Sequence, residues 1–263
     1  MTCRAIGNFF AHCVKKLTPS GRVTNDQRWW VFGAVLVAYA ILTVAVVVGS
    51  PLDSLDHRAA TMDLARHWPD AKPWVLRYVT LGQRAPSALA AGLIVAFLSW
   101  RRRTPRPLVM LATALLLLNV SVGAVKISIG RLGPLITTHP RAVFEGGDIF
   151  PSGHTSNAVV VFGVLALLTT ARYRRVAIAL AVFFATTIGL STVFLDTHWV
   201  TDVLGGWLAG ALILLILPEA TDIAMRAVIW CAARWRTWRF FRRLPRAGEW
   251  HDAPPRRRQL AEK

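Results

Sequence analysis

The chain has 263 residues, is 54% hydrophobic and only 17% charged, and has a mean hydropathy of +0.43. That balance excludes an ordinary soluble domain and points to a polytopic membrane protein. Its 31 Lys and Arg against 14 Asp and Glu leave a formal charge of +17. The basic residues gather in a few loops and at the two ends, a pattern of membrane topology rather than of nucleic-acid binding.

The first segment, 1–28, carries Arg4, Lys15, Lys16, Arg22 and Arg28 but no apolar core with a cleavage signal. It reads as a cytoplasmic segment rather than a signal peptide. Apolar runs of bilayer length follow at 29–50, 76–100, 107–127, 154–171, 176–196 and 199–218, predicting an all-α bundle of about six transmembrane helices over 29–218. Between the first two spans, 51–75 alternates polar and apolar residues at helical spacing and is predicted to lie as a short helix at the extracytoplasmic interface. Its histidines, His57 and His67, and its aspartates read as solvated. The second span is interrupted by Arg84 and Pro86.

Arg101, Arg102, Arg103 and Arg106 precede the third span, and Arg172, Arg174 and Arg175 precede the fifth. These basic loops alternate with poor ones, which predicts a multi-pass protein of the plasma membrane with both termini cytoplasmic. The segment 128–153 and the turn around His198 then face the other side. The tail, 219–263, interleaves Arg with Trp and Phe, a composition suited to lying on anionic lipid. Cys3, Cys13 and Cys231 all fall in segments assigned to the cytoplasm, so free thiols are expected. Nothing in the sequence sets the oligomeric state.

Three polar islands border the outer ends of the spans. Pro151-Ser152-Gly153-His154 opens an apolar run, with Ser152 as N-cap, and the free N–H groups of such a helix start form an anion site. Gly153 permits close backbone approach, and His154 stands beside any bound anion as a proton donor. His198 precedes Asp202 by four residues, a spacing that puts both on one face of a helix and lets the carboxylate fix the imidazole tautomer. Lys126 and Arg131 make the third island and together offer charge to a phosphate dianion. Singly, each has a plain structural reading: a capped helix with an interfacial histidine, a structural His–Asp pair, a snorkelling lysine.

In order, Lys126…Arg131…Pro134, PSGH over 151–154, and Ser191-x6-His198-x3-Asp202 resemble the three signature motifs of the type-2 phosphatidic acid phosphatase superfamily. That superfamily includes bacterial polyprenyl-diphosphate and phosphatidylglycerophosphate phosphatases and shares its site with vanadium haloperoxidases. The resemblance implies a lipid phosphate or diphosphate as substrate, polyprenyl diphosphate first, then phosphatidate or phosphatidylglycerophosphate. It implies His198 as nucleophile forming a phosphohistidine, Asp202 orienting it and His154 protonating the leaving group. Lys126, Ser152 and Gly153 would hold the phosphate, with Arg131 as a partial substitute for missing arginines. No metal or cofactor is implied.

Two departures stand out. The arginine that ends the family's first motif is Gly133 here, and the arginine that follows the third motif's serine is Thr192. Arg131 and, more remotely, Arg141 are the nearby cations. A second reading from another class is a non-catalytic lipid-phosphate binder or transporter of the same fold. A third makes Ser152 the nucleophile of an intramembrane serine hydrolase.

Overall fold

The computed structural model describes residues 25–241, so Cys3, Cys13, the basic residues before Asn25 and the tail beyond Phe241 lie outside the described residues. The described residues form nine α-helices and no strand. Five long ones correspond to expected spans: α1 (Asn25–Val48), α5 (Arg84–Arg102), α6 (Arg106–Ile129), α8 (Arg174–Phe194) and α9 (Val200–Phe241). α7 (Gly153–Leu168) is the sixth. Three short helices, α2 (Leu52–Thr61), α3 (Leu64–His67) and α4 (Lys72–Val79), fill the segment predicted to lie at the interface.

Length and hydropathy alone mark four of these helices as able to cross a membrane, and a fifth when Lys72–Gly82 and Arg84–Arg102 are joined across a 56° bend. The bend falls where Arg84 and Pro86 interrupt the apolar run. α7 is the exception in the other direction. Its 16 residues make a rod of about 24 Å, short of a hydrocarbon core of about 30 Å. The count of six is therefore approximate.

α7 is also the most enclosed helix. Thr155, Ser156 and Asn157 in its first turns are fully buried, as are Val160 and Val164 further along. Around it pack Val95 of α5, Leu118 and Val122 of α6, and Ile213 and Leu217 of α9. Ile41, Leu93, Leu116, Val120 and Leu180 face outward, as a lipid-exposed surface requires.

Where lipid offers no hydrophobic drive, close backbone approach holds helices together. A Cβ added to Gly210 would stand 2.6 Å from the Cβ of Val159, and one added to Gly206 would stand 2.9 Å from the Ser152 carbonyl oxygen. Gly206 and Gly210, spaced by four, thus let α9 press against α7. Gly189 does the same for α8, where a Cβ would meet Val203 at 2.7 Å.

Contacts sort the helix ends into two sets. At one end Arg28 pairs with Glu219, and Arg102 Nη2 donates to the Leu168 carbonyl at 2.7 Å. At the other end meet the start of α5, the end of α6, the start of α7, the end of α8 and the start of α9. The three polar islands share this second end. The last helix runs on through Pro218 to Phe241, so the boundary expected at 218 falls inside a helix.

Candidate active site

α6 begins with Pro107 near its first position and ends at Gly130, whose φ of 54° is the left-handed cap that glycine adopts freely. The chain then folds back on itself without forming a helix. Leu132 N–H donates to the Ala142 carbonyl at 2.8 Å, Phe144 N–H to Ile129 at 2.7 Å, and Gly147 N–H to Gly130 at 3.0 Å. A Cβ at Gly147 would lie 2.0 Å from the Arg131 carbonyl oxygen, so only glycine fits there. This backbone ladder satisfies the polar groups of a long loop and fixes Arg131.

Arg131 is fully buried, and all five of its N–H donors are engaged. Nε donates to the Pro140 carbonyl at 2.9 Å. Nη1 donates to Thr201 Oγ1 at 2.8 Å and to Asp202 Oδ1. Nη2 donates to Asp56 Oδ2 at 2.8 Å and to the Pro140 carbonyl at 2.8 Å. The guanidinium expected at the phosphate is committed to the frame, where it fixes the carboxylate that faces His198. Arg141, the more remote cation, pairs with Asp53.

Asp56 corrects the reading of its segment as solvated. It is fully buried, with Oδ1 accepting from Thr201 N at 2.9 Å and Oδ2 from Thr201 Oγ1 as well as from Arg131. Burial pushes its carboxyl above the usual carboxylate range, against the pull of the Arg131 guanidinium and the Thr201 donors. His57 and His67 are exposed, as solvated groups should be.

His198 and Asp202 meet by a device other than a shared helix face. α9 begins only at Val200, and His198 sits in the turn before it. Asp202 reaches back to accept from Trp199 N at 2.8 Å through Oδ2, the acidic half of a capping box. The same Oδ2 stands 3.5 Å from His198 Nδ1, which has no hydrogen-bond partner among the described residues. Trp199, fully buried, donates its indole N–H to the Leu132 carbonyl at 2.9 Å and stacks under Arg131 at 5.7 Å. It ties the third motif to the first.

Ser152 caps α7, its Oγ accepting from Thr155 N at 3.4 Å and from Thr155 Oγ1 at 3.0 Å. Its own N–H donates to the Asp202 carbonyl at 2.9 Å, a main-chain bond between the second and third motifs. Ser152 is fully buried, whereas Gly153 and His154 are half-buried, and His154 faces His198. The two imidazole rings lie edge to face with centroids 6.2 Å apart. Lys126, half-buried, donates to the Asp148 carbonyl. A methyl group placed on Gly153 would stand 3.9 Å from its Nζ.

All seven residues singled out from the sequence therefore converge, in two layers. His154, Gly153 and Lys126 are partly exposed, while His198, Asp202, Arg131 and Ser152 are buried. At the two departures, Gly133 packs against Ile149 and the Thr197 carbonyl, and Thr192, buried, donates to the Gly189 carbonyl at 2.7 Å. Neither supplies charge. Asp56, Trp199 and Thr201 were not anticipated. The signal for Asp56 was a loop arginine that needs carboxylates once it is buried.

Phosphatidylglycerophosphatase B of Bacillus subtilis (strain 168) is 35% identical over 81 residues, 28% of this chain and 40% of that protein. The match thus spans well under half of the relative's length. The crystal structure of a transmembrane PAP2-type phosphatidylglycerolphosphate phosphatase from Bacillus subtilis superposes with a TM-score of 0.58. It is 24% identical and covers 72% of this chain and 94% of that one, so the helical fold is shared. Residues 107–226, which hold every residue of the three motifs, match the model of the PAP2 superfamily.

Proposed function

We propose that this chain is an integral-membrane phosphatase that hydrolyses a lipid phosphate through a phosphohistidine. The observation that carries the reading is the convergence of His198, His154 and Lys126 at the N-terminus of α7, with Asp202 held behind His198 by Arg131 and Trp199. In this scheme the His198 Nε2 lone pair attacks phosphorus and the P–O bond to the lipid breaks. His154 gives its proton to the departing oxygen. Asp202 stabilises the imidazolium through Nδ1. Lys126 and the free N–H groups at Gly153 meet the charge on the phosphoryl oxygens. Water, deprotonated by His154, then attacks phosphorus, the P–N bond breaks, and inorganic phosphate leaves.

Ser152 does not fit as a nucleophile, because it is fully buried and caps a helix. The named relative supports phosphatidylglycerophosphate as a substrate to test beside the polyprenyl diphosphate expected from the sequence. The basic loops support a site on the extracytoplasmic face. Purified protein is expected to release phosphate from one of these lipids, with vanadate inhibiting and EDTA without effect. His198→Ala should abolish turnover and acid-labile labelling by radioactive lipid phosphate. Unimpaired turnover in that variant overturns the mechanism. Saturable lipid binding with no turnover across the panel would favour a non-catalytic binder.

A further inference from the structure

We propose that Arg84 is a phosphate-contact residue of this site, supplying the guanidinium that positions 133 and 192 lack. The proposal rests on the phosphatase reading above. Arg84 lies outside the three motifs and outside the matched family region, at the first position of α5. A methyl group placed on Gly153 would stand 3.9 Å from Arg84 Nη2, the same distance as from Lys126 Nζ. Two cations thus converge on the glycine that opens α7.

Their circumstances differ from those of Arg131. Arg84 is exposed, and its side chain makes no hydrogen bond or ion pair among the described residues, so its donors are free for a ligand. Two cations brought this close repel one another, and an anion between them offsets that cost. Lys126 and Arg84 with the α7 N–H groups suit the doubly charged end of a phosphomonoester lipid.

The placement of Arg84 is also built. Asn157, fully buried in the turn after His154, donates to the Gly82 carbonyl at 3.0 Å, the Gln83 carbonyl at 3.4 Å and Ser87 Oγ at 2.7 Å. Ser87 Oγ in turn donates to the Gln83 carbonyl at 2.6 Å. Gly82 lies so close that a Cβ there would stand 3.1 Å from the His154 carbonyl oxygen. The start of α5 is clamped to the turn of α7 that bears His154, and Arg84 is the residue this clamp delivers to the start of α7.

The test uses the full-length protein in detergent with orthovanadate as probe, its Kd read by titration calorimetry beside KM for a lipid phosphate. Arg84→Ala is expected to raise the vanadate Kd and KM roughly 10-fold or more. Arg84→Lys should recover part of the loss, and the unfolding temperature should stay put because no protein partner is removed. Adding Gly133→Arg to Arg84→Ala should restore affinity, since a Cβ at 133 meets nothing closer than 3.4 Å. A vanadate Kd within about twofold of wild type in Arg84→Ala overturns the proposal. An Arg84-dependent vanadate Kd in a protein that turns over no lipid upholds the contact while the phosphatase reading falls.

Discussion

Asp56, Arg131 and Asp202 put three charges in a space with no solvent exposure. Such a cluster holds only while every charge keeps its partners, and breaking one buried pair costs about 3–5 kcal/mol. Asp56→Ala should therefore lower the unfolding temperature in detergent markedly. It should also cut turnover, because Asp202 loses part of its anchorage. Arg141→Ala removes an ion pair whose arginine is 64% exposed, and should cost less than about 1 kcal/mol. Equal thermal stability of the two variants would show that the cluster does not hold the fold. At this scale the histidines, Asp202 and Lys126 were legible because polar groups at the ends of apolar runs stand out. Asp56 was hidden because it lies in a segment that alternates polar and apolar residues, and only the tertiary fold brings it to Arg131. Arg84 was visible as a flaw in an apolar run, and a cation that interrupts such a run is itself the signal.

Among elements, the tightest constraint is the seam between α7 and α9. Gly210→Ala puts a methyl group 2.6 Å from the Val159 Cβ, an overpacking expected to cost about 1–3 kcal/mol. Val159→Ala in the same chain should relieve most of that loss. Gly92→Ala, at a helical position where a Cβ meets nothing within 4 Å, should stabilise by up to about 1 kcal/mol. Heat-inactivation curves in detergent check all three, and a Gly210→Ala protein as stable as wild type would remove the seam from the account. The helices themselves could be read from the apolar runs, since 20 or so apolar residues leave few alternatives. Their ends could not. α9 starts two residues beyond His198 because Asp202 caps Trp199, and it continues past Pro218 because one missing donor does not end an otherwise favourable helix.

The whole molecule separates a basic end from a reactive one. Arg28, Arg102 and Arg106 stand with the ends of helices that carry no site residue, and the motifs meet at the opposite ends. The proposed orientation predicts that a cysteine placed at His57, in a background without Cys3, Cys13 and Cys231, reacts with an impermeant maleimide in intact cells. One placed at Arg103 should react only after permeabilisation, and the reverse pattern would invert the topology. The reactive end has one more property. Its second and third motifs are joined by a main-chain bond, Ser152 N–H to the Asp202 carbonyl, and its third and first by the Trp199 indole bonded to the Leu132 carbonyl. Such joints are indifferent to the side chains mounted at the rim. Under the proposed function, headgroup preference becomes a separable trait, open to change by exchanging the cations beside Gly153 one at a time while the two imidazoles keep their mounting.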